Sequence, residues 1–245
     1  MNLSPIPSTK SGENDMKLLS RDSNTKLIKT AKGESQPVVL AGLSMMPSIE
    51  LCPMSKAAEC FDDCLKSSGL AGVYSSVNIA RQRKTDYYMA DREGFLSDLR
   101  RELTNLVKYA KKHGKQAIVR LNVLSDVEWE KHNIPQEFPE IKFYDYTKRA
   151  RRLVKPLPEN YGLMFSFSNA PKYRKQVEIA LQTDAPITVV FKNGLPETYM
   201  GREVIDGDKS DLDNLEAKGK IVGLRVKGNE AKHSDSPFIV ESDKI

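Results

Sequence analysis

Six short apolar runs constrain this chain most: residues 38–45, 117–124, 142–146, 163–167, 187–191 and 221–226. Each is too short for a free-standing helix and is rich in β-branched or aromatic residues, which is the signature of a strand. Apolarity runs nearly unbroken through them instead of alternating. A strand needs that only when both of its faces are covered, as in a parallel sheet. Helical patterns fill much of the space between. Residues 92–113 carry Phe95, Leu99, Leu103, Leu106, Val107 and Ala110 as one apolar stripe, and Gly114 follows as a natural cap. Further helices are expected over 56–67, 73–90 and 171–183, while 193–220 reads mostly as loop with some antiparallel pairing near the C-terminus. The expected fold is α/β, either a six-stranded partial (β/α) barrel or an open, mostly parallel sheet.

The chain has 245 residues, 39% of them hydrophobic, which is enough to build a single domain over 31–245. Residues 1–30, rich in Ser, Lys, Asn and Pro, read as a disordered N-terminal arm. No apolar run reaches eighteen residues and the polar start lacks the apolar stretch of a secretory leader, so a cytoplasmic protein without a membrane partner is expected. The formal charge of +5 suits a nucleic acid or a phosphate-bearing substrate without selecting either.

Polar residues gather where the apolar runs end. Asn122, Ser125 and Asp126 follow the second run, Asp145 and Lys148 the third, and Ser166, Ser168 and Asn169 the fourth. Parallel α/β folds place their ligand site at that edge. Asp126, Asp145 and Lys148 are therefore the candidate catalytic groups. Asn122, Ser125, Ser166, Ser168 and Asn169 are the candidate substrate contacts. Alternatives stand beside them: Ser125 and Asp126 could cap a helix starting near Val127, and Asp145 could pair with an arginine. The basic run Lys148, Arg149, Arg151, Arg152 and Lys155, with Arg81, Arg83 and Lys84, offers a phosphate or nucleic-acid contact, or a solvated face. Asp206, Asp208, Asp211 and Asp213 have a cation-loop composition but lack a completing glutamate, so a solvated turn is expected. His113, His132 and His233 sit in polar, helix-end or loop contexts, with no cysteine or serine pairing to mark a catalytic base.

All three cysteines, Cys52, Cys60 and Cys64, fall within thirteen residues. Disulfide frameworks distribute cysteines to close long loops, and this arrangement does the opposite. Three clustered thiols suit iron–sulfur or zinc; buried, unligated thiols are the alternative. On a helix over 56–67, Cys60 and Cys64 would share one face.

The chain resembles the gene product 88 family of phage- and plasmid-encoded proteins. The likeness rests on residues 23–27 (Ser-Asn-Thr-Lys-Leu), the Cys-Pro…Cys-x3-Cys-Leu loop, Ala80-Arg81…Lys84-Thr85 and Arg120-Leu-Asn-Val-Leu-Ser-Asp126…Trp129-Glu130. Tyr144-Asp-Tyr-Thr-Lys148, Val204-Ile-Asp-Gly-Asp208 and Ile221-Val-Gly-Leu224…Lys227-Gly228 continue it. The resemblance implies a phage or mobile-element origin, hence a host cytoplasm. The architecture is also similar to that of radical S-adenosylmethionine enzymes, in which a thiolate triplet follows the first strand of a partial barrel. That implies a [4Fe–4S] cluster on Cys52, Cys60 and Cys64, with S-adenosylmethionine as cosubstrate. Those enzymes carry C-x3-C-x2-C, whereas this chain has C-x7-C-x3-C. Two functions follow as expectations: an iron–sulfur enzyme, or a nucleic-acid-binding phage protein whose cysteine loop holds zinc or nothing.

Overall fold

The structure is a computed structural model and describes residues 16–21, 37–61, 74–227 and 233–242. The strands are β1 (Leu19–Arg21), β2 (Val38–Leu43), β3 (Gln116–Arg120), β4 (Ile141–Thr147) and β5 (Tyr161–Ser166). After them come β6 (Ile187–Phe191), β7 (Thr198–Tyr199), β8 (Arg202–Asp206), β9 (Ile221–Arg225) and β10 (Ile239–Val240). The α-helices are α1 (Ser75–Ala90), α2 (Arg92–Lys112), α3 (Ile134–Glu137), α4 (Arg174–Leu181) and α5 (Asp211–Glu216). Among the described residues they form one sheet in the order β1-β2-β3-β4-β5-β6-β9-β8-β7, with β10 added to β6.

From β2 to β6, and on to β9 and β8, neighbouring strands run parallel. Each of the six expected strands lies beside its predecessor in sequence. That is the winding of a partial barrel, laid out here as an open sheet whose edges are β1 and β7. Both edges end in antiparallel pairs, β1 on β2 and β7 on β8.

Side-chain parity sorts the strands into two faces. On the outer face Val39, Ala41, Leu43, Ala117, Val119 and Phe143 pack against the α2 stripe of Phe95, Leu99, Leu103 and Leu106. Farther along, Phe165, Ile187, Val189 and Phe191 pack near Tyr173 and Ala180 of the α4 region. On the inner face Leu40, Ile118, Tyr144 and Met164 receive Leu212 and Leu215 of α5. Coverage on both sides explains the near-continuous apolar runs.

The structure departs from expectation in four places. Within the segment read as an arm, Leu19–Arg21 docks as an edge strand, the Leu18 and Leu19 amides donating to the Glu102 carboxylate at 2.6 and 2.8 Å. The stretch read mostly as loop holds β7, β8 and α5. In α5, Ser210 caps the first turn by accepting from the Leu212 and Asp213 amides. The expected helix over 56–67 is not formed as far as Phe61: residues 51–59 are turns and Glu59 adopts a left-handed φ of 49°. A helix cannot pass through that geometry, and residues 62–67 lie outside the described residues. Finally, α4 is preceded by a separate 3-10 turn, Pro171–Tyr173. No helix among the described residues is long and apolar enough to cross a membrane.

Candidate functional site

A cavity of about 220 Å³ opens on the inner face at the C-terminal ends of the parallel strands. It is many times the volume a single water needs, about 10–15 Å³. Parity builds its walls. Arg120 ends β3, Tyr146 lies on β4, Ser166 ends β5, Thr188 and Val190 lie on β6, and Leu224 on β9, all facing inward. Lys148, one residue past β4, keeps the parity of Tyr144 and Tyr146 and donates to Ser166 Oγ at 3.0 Å. Ser166 is the register partner of Thr188, so lysine, serine and threonine form a row across three strands. Tyr173 fixes two members of that row, its hydroxyl lying 2.8 Å from the Lys148 carbonyl and 2.9 Å from that of Ser166.

The cysteine loop closes one side. Cys52 and Cys60 are thiols and both line the cavity. Tight turns shape the loop: the Cys52 amide donates to Ser48 O at 2.9 Å and the Cys60 amide to Ser55 O at 3.1 Å. The Cys60 thiol points at the same Ser55 carbonyl, at 3.6 Å. Three outside anchors hold the loop in place. The Asp126 amide donates to Leu51 O at 2.8 Å, the Ser168 hydroxyl to Ala58 O at 2.7 Å, and the Ser236 hydroxyl to Glu59 O. Ser168 is thus placed as a tether of the cysteine loop. Cys64 lies outside the described residues. Among those residues no three His, Cys, Asp or Glu side chains gather as a metal-binding group.

Two hydroxyls in the cavity wall, Ser55 Oγ and Thr188 Oγ1, have no hydrogen-bond partner among the described residues although their residues are only 3% and 4% exposed. Arg120 Nε is likewise unpartnered, while its Nη1 faces Asp211 at 3.5 Å and its guanidinium stacks on Tyr146. Asp211 is fully buried beneath the cavity and accepts from Tyr144 at 3.1 Å and Tyr146 at 2.7 Å. Burial, reinforced by the Asp211 charge, pushes both phenols well above their ordinary pKa, so they remain donors.

The remaining predicted residues form a second polar cluster on the outer side of the strand ends. Asp126 accepts from Thr147 Oγ1 at 2.8 Å, the Lys148 amide at 3.0 Å and Arg152 at 2.9 Å. Arg152 is 1% exposed and also grips Glu130 at 2.7 and 2.9 Å. Burial opposes its charge, but Tyr161, Asp126 and Glu130 outweigh that and raise its pKa. Asp145 has the parity of Phe143 and Thr147 and faces away from the cavity. It accepts from the Asn122 amide at 2.6 Å, Asn122 Nδ2 at 3.0 Å and Tyr161 at 2.7 Å. Burial pushes its carboxyl up to about 7, against the pull of these donors. Asn122 ties the cluster together, its side-chain oxygen receiving Ser125, the Val127 amide and Trp129. Asn122, Ser125 and Asp126 touch the cavity rim, but their hydrogen bonds point into this cluster. Asn169 is exposed on the surface.

The basic residues are dispersed. Lys84 is buried on the Leu18 carbonyl at 2.7 Å, its pKa lowered by burial, and Arg81 binds Asn78 at 3.1 Å. Arg149 pairs with Glu128 at 2.9 Å and donates to the Asp126 carbonyl, and the exposed Arg151 reaches Glu128 at 3.5 Å. The acidic turn is spent on cations, with Asp206 and Asp208 on Arg225 and Asp208 on Lys227. Sequence reading did not select Ser55, Arg120, Tyr146 or Thr188, and it expected Asp211 in a solvated turn, whereas α5 buries it completely. Parity was the available signal for Arg120 and Tyr146 and register for Thr188, while Ser55 lies on the cysteine loop, where neither applies. A larger cavity of about 870 Å³ lies beside β1 and α2, but none of the predicted site residues lines it.

No curated protein and no solved structure matches this chain. A family model does, over residues 17–241, which spans β1, the cysteine loop, both polar clusters and β10. The chain belongs to the gene product 88 family.

Proposed function

We propose that this protein is an iron–sulfur enzyme whose cluster is held by Cys52, Cys60 and Cys64 at the inner-face cavity. The observation that carries the reading is placement. Two of the three thiols line one cavity at the C-terminal edge of a sequentially wound parallel sheet, on a loop that follows its first inner strand. The two described thiols, Cys52 and Cys60, are soft donors of the kind iron–sulfur clusters take, and the neighbouring carboxylate, Asp126, already has its own donors; Cys64 would be the third ligand. Three protein thiols leave one iron of a [4Fe–4S] cluster for a small ligand. When bound, the cluster supplies one-electron chemistry at that iron. S-adenosylmethionine is the cosubstrate to test first. The chain itself provides the tethers that hold the loop, Ser168 and the Asp126 amide, and the Lys148–Ser166–Thr188 row that faces the same space.

Nucleic-acid binding is the weaker reading, since Lys84, Arg149 and Arg152 spend their charge on intramolecular partners. Anaerobic purification and reconstitution, followed by iron and sulfide analysis with a visible spectrum, separates the two. The enzyme reading expects a brown protein with about four iron per chain. A colourless, iron-free protein that binds nucleic acid with steep salt dependence would overturn it.

A further inference from the structure

We propose that the inner-face cavity binds a small organic carboxylate with a compact apolar body, held by the row Lys148–Ser166–Thr188 together with Ser55. The proposal shares its cavity with the cluster reading but rests on the hydroxyl row and not on iron. Two observations carry it. The first is the pair of orphaned hydroxyls. Ser55 Oγ and Thr188 Oγ1 are nine-tenths buried, line the cavity and have no partner among the described residues. Leaving such a group unpaired is costly, and here two of them face one space. The second is the row itself. Ser166 and Thr188 are register partners on β5 and β6, and Lys148 Nζ lies 3.0 Å from Ser166 Oγ and 5.0 Å from the centre of the Phe238 ring.

The chemistry of this wall selects its ligand. One ammonium flanked by hydroxyl donors matches a single negative charge spread over two oxygens. The two guanidiniums that also line the cavity, Arg120 and Arg225, already pair with Asp211 and with Asp206 and Asp208, so neither presents the open fork, nor the wall the nest of backbone amides, that a phosphate asks for. Val190, Leu224 and Phe238 supply an apolar wall beside the row, suited to a hydrocarbon body. The carboxylate oxygens accept from Lys148, Ser55 and Thr188, and the body lies against the apolar wall.

The test is calorimetric titration of the anaerobically purified full chain, its iron content measured on the same sample, with isovalerate, benzoate and inorganic phosphate as probes. The expected result is binding of the carboxylates, weakened about tenfold or more in Lys148→Gln and about threefold or more in Thr188→Val. Because the Thr188 hydroxyl has no partner among the described residues, Thr188→Val should melt at the same or a higher temperature while binding less well. A purely structural threonine would not give that combination. Should Thr188→Val fail to fold, Ser55→Ala carries the same expectation. Failure of both carboxylates to bind, wild-type binding by the variants, or tighter binding of phosphate than of either carboxylate would overturn the assignment. Each outcome is independent of the iron analysis, so this inference and the cluster reading can fail separately.

Discussion

Two polar clusters flank the strand ends, and they differ in how completely their hydrogen bonds are satisfied. On the outer side, Asn122, Asp126, Asp145, Arg152 and Tyr161 bond mainly to one another: both oxygens of each aspartate have donors, and Arg152 has three acceptors. On the inner side, Ser55, Thr188 and Arg120 Nε face a cavity with unused donors. Buried polar groups are ordinarily paired; the outer cluster meets that rule internally, whereas the inner one presents unpaired groups to a cavity. The lesson is one of parity. Residues adjacent in sequence, such as Asp145 and Tyr146, or Thr147 and Lys148, go to opposite clusters because successive strand side chains point to opposite faces.

The sharpest way to break this comparison is Arg152→Met. The substitution strands Asp126 and Glu130 as buried or half-buried charges, and should cost about 3–5 kcal/mol of stability by urea unfolding. A cost under 1 kcal/mol would mean the outer cluster is not structural. Asn122→Ala should follow at on the order of 3 kcal/mol, because it removes the acceptor of Ser125, the Val127 amide and Trp129 at once.

Asp145 should make stability depend on pH. Its folded pKa of about 7 lies above the unfolded value of about 3.9. The folded state therefore holds the proton more tightly. The resulting stability is fully present below pH ~4 and is lost as pH rises through 7. Unfolding free energies measured across that range should fall for the wild type and flatten in Asp145→Asn; parallel profiles would show that the carboxyl stays ionised throughout. The smallest effect belongs to the inner side. Thr188→Val should change stability by no more than about 1 kcal/mol, and in the favourable direction, since it removes an unpaired buried hydroxyl. A loss comparable to that of Arg152→Met would erase the distinction between the clusters.

Much of this was legible in the sequence. The run at 187–191 coincides with β6, and the other five expected strands overlap β2, β3, β4, β5 and β9 with shifted ends. Near-continuous apolarity correctly signalled a sheet covered on both faces. The edges were not legible. β7 has two residues, β8 (Arg-Glu-Val-Ile-Asp) holds only two apolar residues between charged ones, and β1 lies in a polar stretch, so none offers an apolar run. Polar strand ends pointed to the edge where the cavity opens, but proximity in sequence hid the split between faces. Lys148 and Ser166 were selected and do line the cavity; Asp145 was selected and does not. Thr188 sits inside an apolar run and only the register with Ser166 reveals it.

The most direct test of the account is the iron bound per chain after anaerobic reconstitution of the wild type beside Cys52→Ala, Cys60→Ala and Cys64→Ala. The account predicts about four iron in the wild type and loss of the cluster in each variant, with folding intact by circular dichroism. Iron-free wild type, or variants that keep its full iron content, would contradict it.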